Sequence, residues 1–120
     1  MMTMTTFDFG DGKGPVPAHK HPNGGGWVAD SAIVAESAFV GPDAQVYGNA
    51  RISGNTIVSD YVWVFGNAII SGNAQISGNA CVFGHACVFD SAHVSGNAWV
   101  FRQARVGDDT RVGGNAQITE

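Results

Sequence analysis

Charged residues are scarce in this chain of 120 residues. Asp, Glu, Lys and Arg make up 13 % of it, about half the usual share of a soluble protein, and the net charge is −4. The six Lys and Arg residues form no cluster that would neutralise successive phosphates, so we expect no nucleic-acid partner. A disordered chain is also excluded, because 44 % of the residues are hydrophobic and must be buried in a fold.

Long apolar runs and a cysteine framework are absent as well. No stretch of 18 apolar residues occurs, and residues 1–30 lack the apolar segment of a secretory signal, so we expect no membrane association and a cytoplasmic location. Two cysteines, Cys81 and Cys87, are too few for the disulfide framework of a small secreted domain, which fits a reducing compartment. One small domain or a short repeat array remains.

Glycine is abundant, with 17 residues, and its spacing belongs to a repeat. From Trp27 onward the chain divides into fifteen hexapeptides without an insertion, such as WVFGNA, IISGNA and QISGNA. The second position is always Val or Ile, and the sixth is Ala in twelve of the fifteen. These two positions lie two residues apart across the hexapeptide boundary, so they share one face of a β-strand. Gly-Asn at the fourth and fifth positions is typical of a tight bend. Each hexapeptide therefore predicts a short strand followed by a corner.

Aromatic residues at the third position recur every 18 residues, at Tyr47, Phe65, Phe83 and Phe101, which predicts three hexapeptides in each coil. This pattern resembles the hexapeptide-repeat proteins. The resemblance covers residues 27–120 and implies an all-β fold, a left-handed parallel β-helix with triangular coils of 18 residues and about five coils. Residues 1–26 do not fit the repeat, and we predict that they form a separate N-terminal cap or arm.

One side of the predicted coil is far more aromatic than the other two. We call it the first face: the side formed by the hexapeptide that starts at residue 27 and by every third hexapeptide after it. It is expected to expose several hundred Å² of apolar surface, more than a soluble monomer usually leaves open. Residues 61–89 also contain no charged side chain. We therefore predict an interface formed by Trp27, Tyr47, Trp63, Phe65, Phe83, Trp99 and Phe101.

Three covers for the first face are compatible with the sequence. The first is a homotrimer packed through this face, which the family resemblance also favours. In the second, the stacked rings reinforce neighbouring coils while residues 1–26 fold over them, with Phe7, Phe9 and Val16 as the covering side chains. The third is a foreign protein partner, since exposed aromatic residues are typical of interface hot spots.

Catalysis is the main alternative to a binding role. Many hexapeptide-repeat proteins are acyltransferases that use coenzyme A or acyl carrier protein, with a histidine base near a loop that leaves the helix. His93, which we expect to face outward between Gln75 and Arg111, is the best candidate for that base. However, the repeat has no loop insertion, and no helical segment follows it in this sequence. We therefore predict a protein that is not an enzyme and uses no cofactor, with a coenzyme A-dependent acyltransferase as the alternative.

The histidines do not predict a metal site either. His19 and His21 are spaced as a ligand pair on an extended segment, but a structural zinc site needs four ligands and a catalytic one three. His85 and His93 do not obviously converge on that pair. The carbonic anhydrases of the family share three zinc histidines across a trimer interface, and the spacing of these residues does not match that arrangement.

The sequence thus favours a trimeric, non-catalytic module with a binding or structural role. The insertion-free repeat resembles small hexapeptide-repeat proteins of bacteria and their phages. One specific hypothesis is a protein encoded by a phage or mobile element that acts in the host cytoplasm, where it binds and blocks a host defence protein.

Overall fold

Eighteen short β-strands make up the regular structure of residues 5–119. The computed structural model describes residues 5–119, so the first four residues of the segment 1–26 and the last residue of the segment 27–120 lie outside the described residues. The strands are β1 Thr6–Asp8, β2 Pro15–Lys20, β3 Trp27–Ala29, β4 Ile33–Val34, β5 Phe39–Val40, β6 Gln45–Val46, β7 Arg51–Ile52, β8 Ile57–Val58, β9 Trp63–Val64, β10 Ile69–Ile70, β11 Gln75–Ile76, β12 Cys81–Val82, β13 Cys87–Val88, β14 His93–Val94, β15 Trp99–Val100, β16 Arg105–Val106, β17 Arg111–Val112 and β18 Gln117–Ile118. From β3 onward each hexapeptide supplies one strand.

The strands of the repeat pair in parallel with the strand three positions further along the chain. Val46 on β6, for example, lies opposite Val64 on β9. This pairing produces three sheets, with the orders β1-β2-β3-β6-β9-β12-β15-β18, β16-β13-β10-β7-β4 and β17-β14-β11-β8-β5. The predicted all-β fold and the 18-residue coil are therefore confirmed: the protein is a three-sided β-solenoid of about five turns.

Small and β-branched side chains fill the interior of the solenoid. The second-position Val and Ile residues from β5 to β15 are almost completely buried, and so are the alanines that precede their strands. Full burial of one such Val or Ile side chain contributes about 1.5–3 kcal/mol. Val62, which replaces an alanine, is also fully buried, and the hydroxyl of the buried Thr56 donates to the carbonyl oxygen of Ser53 at 2.8 Å. These two substitutions at the sixth position thus fit the core.

Backbone hydrogen bonds join each coil to the next, at the corners as well as along the strands. The amide of Trp63 donates to the carbonyl oxygen of Ala80 at 3.1 Å, and at a corner the amide of Asn67 donates to that of Gly84 at 2.7 Å. Both bonds span 17 residues of sequence. This regular offset keeps equivalent positions of successive coils in straight columns.

The corners require a backbone in the left-handed region. Gly54 has φ +71°, and a Cβ atom added there would lie 2.5 Å from the carbonyl oxygen of Gly72 in the next coil. Four other residues adopt similar φ values of 54–58°, namely Asp60, Asp90, Arg102 and Asp108. The predicted link between Gly-Asn and a corner is therefore confirmed, and three of the four replacements are Asp, whose side chain tolerates this conformation.

The N-terminal segment closes one end of the solenoid. Strand β2 pairs antiparallel with β3, and β1 pairs antiparallel with β2, so this hairpin extends the first sheet. The chain then crosses the first coil, where the amide of Gly26 donates to Val40 and the amide of Val40 donates to Asn23. His21 is buried beneath this crossing, and its Nε2 lies 2.8 Å from the carbonyl oxygen of Ala38. Because a carbonyl can only accept, Nε2 carries the proton in this contact.

Replacing a corner glycine should destabilise the protein most where the next coil is close. Gly54→Ala and the control Gly114→Ala both place a side chain at positive φ, but only the Cβ at position 114 meets open space. We expect Gly114→Ala to lower the free energy of unfolding by about 1–2 kcal/mol, the cost of the left-handed conformation. Gly54→Ala should lose at least about 1 kcal/mol more through overpacking. Denaturant unfolding measures both, and equal losses would show that coil spacing is not tight at this corner.

Candidate functional site

The first face carries two columns of side chains along the solenoid. We number the strands of this face as coils 1 to 6, for β3, β6, β9, β12, β15 and β18 in that order. The first column, at the first hexapeptide position, contains Trp27, Gln45, Trp63, Cys81, Trp99 and Gln117. The second column, at the third position, contains Ala29, Tyr47, Phe65, Phe83, Phe101 and Thr119. The coil register predicted from the sequence placed all of these residues on this face, and the sheet order confirms it.

Four rings of the second column form a continuous stack. The ring centroids of Tyr47, Phe65, Phe83 and Phe101 are 4.9–5.0 Å apart, and neighbouring ring planes differ by 1–7°. This spacing is close to the separation of paired strands, about 4.8 Å, so the backbone register itself sets the contact. Stacked aromatic pairs contribute about 0.5–1.5 kcal/mol each beyond their burial. The stack therefore reinforces the contact between neighbouring coils.

A ring from the N-terminal segment extends this stack. Coil 1 has only Ala29 at the third position, and Phe9 stacks on Tyr47 with the ring centroids 4.8 Å apart. Phe9, Ala29 and Tyr47 form one buried cluster, in which Tyr47 retains 6 % of its exposure. Burial, with a smaller contribution from the charge of Asp11, raises the pKa of Tyr47 to about 12. The sequence analysis predicted that Phe9 covers this face, but it did not predict that the ring joins the stack. The signal for this position is Ala29, whose small side chain leaves coil 1 without a ring of its own.

The N-terminal hairpin also covers Trp27. The rings of Phe7 and Trp27 are stacked with centroids 4.8 Å apart, and the ammonium group of Lys20 lies 5.6 Å from the centroid of Trp27. Two residues of the expected interface are thus occupied by the chain's own N-terminal segment, Tyr47 fully and Trp27 in part. The expectation that Tyr47 is open to a partner is wrong, because Phe9 packs over it.

The lower part of the first face remains open. Trp63 and Trp99 retain 42 % and 44 % of their exposure, while Cys81, between them in the first column, is half-buried. Trp99 packs edge-on against Phe83 and Phe101, at centroid distances of 6.0 and 6.4 Å. Trp99 therefore packs against half-buried rings, and both indoles present apolar surface to solvent.

A groove of about 580 Å³ lies where the covered upper part of this face meets its open lower part. Its walls include Trp27, Tyr61, Trp63 and Cys81. Gln45 also lines it, and the buried Oε1 atom of this side chain has no hydrogen-bond partner within the described part of the chain. Burial raises the pKa of the Cys81 thiol, so this group stays protonated near neutral pH and contributes packing rather than a reactive thiolate.

His93 lies on the third sheet, away from the first face. As expected from the register, it pairs with Gln75 on one side and Arg111 on the other. These residues line a shallow groove of about 320 Å³ together with Ser77 and Ser95. The structure therefore brings together the neighbours that the sequence predicted for His93.

The other histidines are held by contacts within the chain. His19 Nδ1 lies 2.7 Å from Asp30 Oδ1, whereas His21 is buried against Ala38, so the two imidazoles have different partners. The backbone amide of His85 donates to Arg102 at a corner. Among residues 5–119 no three His, Cys, Asp or Glu side chains are grouped so as to hold a metal ion. Cys81 and Cys87 are free thiols on different sheets.

Comparison with known proteins finds a similarity within the repeat. Residues 44–60 and 74–90 match the family described as YdcK beta solenoid repeat, and each match begins at an alanine that closes a hexapeptide. No curated protein and no solved structure matches the chain. Over the residues that the structure describes, no helix has the length and hydropathy needed to cross a membrane.

Removal of the Phe9 ring should expose Tyr47 and lower its pKa. In a Tyr61→Phe background, which leaves Tyr47 as the single tyrosine, we expect the pKa to fall from about 12 toward the ordinary tyrosine value of 10.0 in Phe9→Ala. Because the folded state holds this proton more tightly than the unfolded state, the stabilisation is complete below pH 10 and is lost as the pH rises toward about 12. Ultraviolet titration of tyrosinate measures the shift, and an unchanged pKa would contradict the covering role of Phe9.

Proposed function

We propose that this protein is a non-catalytic binding module that associates through the lower part of the first face. The observation that carries the proposal is the exposure of Trp63 and Trp99 on one flat sheet. An indole side chain buries up to about 250 Å², so each of these residues leaves about 100 Å² open. At about 25 cal/mol per Å², covering both would contribute about 5 kcal/mol for each copy.

The absence of charge on the central coils supports this role. Residues 61–89 contain no Asp, Glu, Lys or Arg, so a partner that covers them desolvates no ionised side chain of that stretch. Association also costs free energy wherever loops and side chains of the interface must be ordered, and a rigid surface avoids that cost. The solenoid provides such a surface, since every coil is hydrogen-bonded to its neighbours.

Copies of the same chain are the partner that we propose. The family resemblance favours three copies. The alternative is a foreign partner, as in the hypothesis of a phage-encoded protein that blocks a host defence protein. Self-association and binding to a foreign protein would use the same two indoles. The stoichiometry of the purified protein therefore distinguishes them.

A coenzyme A-dependent acyltransferase is the second candidate, favoured by one observation. His93 shares a groove with Arg111 and two serines, which together offer a base and an anion-binding group. Calorimetry with coenzyme A and acetyl-coenzyme A tests this function directly. Binding that is lost in His93→Ala would support the acyltransferase, and we expect no binding.

A charge placed on the first face should dissociate the assembly. We expect Trp99→Glu to shift the protein to a smaller species at concentrations at which the unsubstituted chain is oligomeric, because the new carboxylate would be buried without a partner. Ile69→Glu on the second sheet is the matched control, since Ile69 and Trp99 are both 44 % exposed. Light scattering coupled to gel filtration measures the mass. Dissociation by both variants, or by neither, would contradict the proposal, provided that circular dichroism shows both to be folded.

A further inference from the structure

We infer that the first face takes a second copy of this chain in antiparallel orientation, related by a two-fold axis that runs along the strands between coils 3 and 4. This inference rests on the proposed function and specifies its partner. It differs from the three-fold assembly that the family resemblance implies, in which the solenoid axes are parallel. The relief of the face, its symmetry and its charges support it.

The first column alternates between large and small side chains over all six coils. Trp occupies coils 1, 3 and 5, while coils 2, 4 and 6 carry Gln45, Cys81 and Gln117. Successive coils are about 4.8 Å apart, so the indoles of Trp63 and Trp99 are separated by about 10 Å. Between them the half-buried Cys81 leaves a gap that a partner side chain can enter.

An antiparallel partner matches this alternation of large and small side chains at every coil. The two-fold axis places coil 1 opposite coil 6, coil 2 opposite coil 5 and coil 3 opposite coil 4. Each Trp then meets a coil that has none; Trp63, for example, lies opposite Cys81 of the second copy. In any assembly with parallel axes, identical coils lie at the same height, so Trp-bearing coils meet one another and the gaps remain unfilled. Filled gaps matter because interface cores are packed as densely as protein interiors.

Symmetry also favours two copies over three. A two-fold interface uses the same patch on both copies, whereas a ring of three needs two different complementary patches on each copy. The exposed indoles all lie on one flat sheet, which provides a single patch. The other two sheets carry exposed Ile33, Ile57 and Ile69 next to polar and charged side chains and offer no second patch of the same kind.

At one corner of the face this orientation brings an acidic side chain, with a lysine beside it, close to an arginine of the second copy. Asp11 lies beside the corner residues Gly48 and Gly66 of coils 2 and 3, with Lys13 nearby. Arg102 occupies the same corner in coil 5, below Gly84. A two-fold axis along the strands keeps equivalent corners on the same side, so Asp11 of one copy approaches Arg102 of the other. Neither side chain has an ion-pair partner among the described residues.

The available area indicates a reversible dimer. Six strands at about 4.8 Å and a side of about five residues at about 3.3 Å give at most about 500 Å² for each copy, because the N-terminal segment covers Tyr47 and part of Trp27. The total of at most about 1,000 Å² lies at the lower limit of specific interfaces. We therefore expect copies to exchange on mixing, which the following experiment uses.

Cross-linking between two single-cysteine variants tests the orientation. In a Cys81→Ser, Cys87→Ser background, Gln45→Cys places a thiol on coil 2 and Gln117→Cys places one on coil 6. In the antiparallel dimer these two thiols are offset by one coil, about 5 Å along the solenoid axis. Two Gln45→Cys copies are offset by three coils, about 14 Å, and two Gln117→Cys copies by five coils, about 24 Å. In a parallel assembly identical variants have no offset, and the unlike pair is separated by about 19 Å.

We expect a short bismaleimide linker to join Gln45→Cys to Gln117→Cys in preference to like pairs. One variant is isotope-labelled, so that intact mass distinguishes the products. Gln75→Cys on the third sheet replaces Gln45→Cys in the control reaction and should give no product with Gln117→Cys. Preferential cross-linking of like variants, or a trimeric mass, would overturn the antiparallel dimer and leave the proposed function standing. A monomer at all concentrations would overturn both.

Discussion

The hydrogen bond that alternate backbone amides donate to a carbonyl 17 residues further along the chain is the constraint on which this structure depends. It continues along the strands and around the corners, as at Trp63 and Asn67, and it allows no coil to gain or lose a residue. An aliphatic residue at every second hexapeptide position then becomes a continuous core. The same register turns isolated third-position rings into a stack with the spacing of the strands. Core, corners and outer columns therefore depend on a single offset.

This constraint also explains how the N-terminal segment is used. A parallel solenoid leaves unpaired strand groups at its ends, and the hairpin of β1 and β2 pairs with them at the first coil. Phe9 stacks on Tyr47 at the coil where the repeat supplies only Ala29, and Phe7 stacks on Trp27. The first face is consequently divided into an upper part covered by the chain itself and a lower part, around Trp63 and Trp99, that is open.

The sequence predicted the solenoid and its faces because the period is strict: the spacing of Val28, Val46 and Val64 is sufficient to assign them to one column. It could not predict the hand of the winding, which comes from the family resemblance. It also could not place Phe9 on Tyr47 or His21 against Ala38, because residues 5–26 have no period and these contacts are non-local. The candidate site was therefore predicted as a whole face, and the structure reduced it to its lower half.

All three tryptophans of the chain lie on the first face, so intrinsic fluorescence reports directly on whether that face is covered. Emission and acrylamide quenching can be measured over a wide range of protein concentration, with the Ile69→Glu protein as a control for unrelated surface changes. Our account predicts a blue shift and weaker quenching as concentration rises, because Trp63 and Trp99 become buried between copies. Emission and quenching that do not change with concentration would contradict the assembly of this protein through its aromatic face.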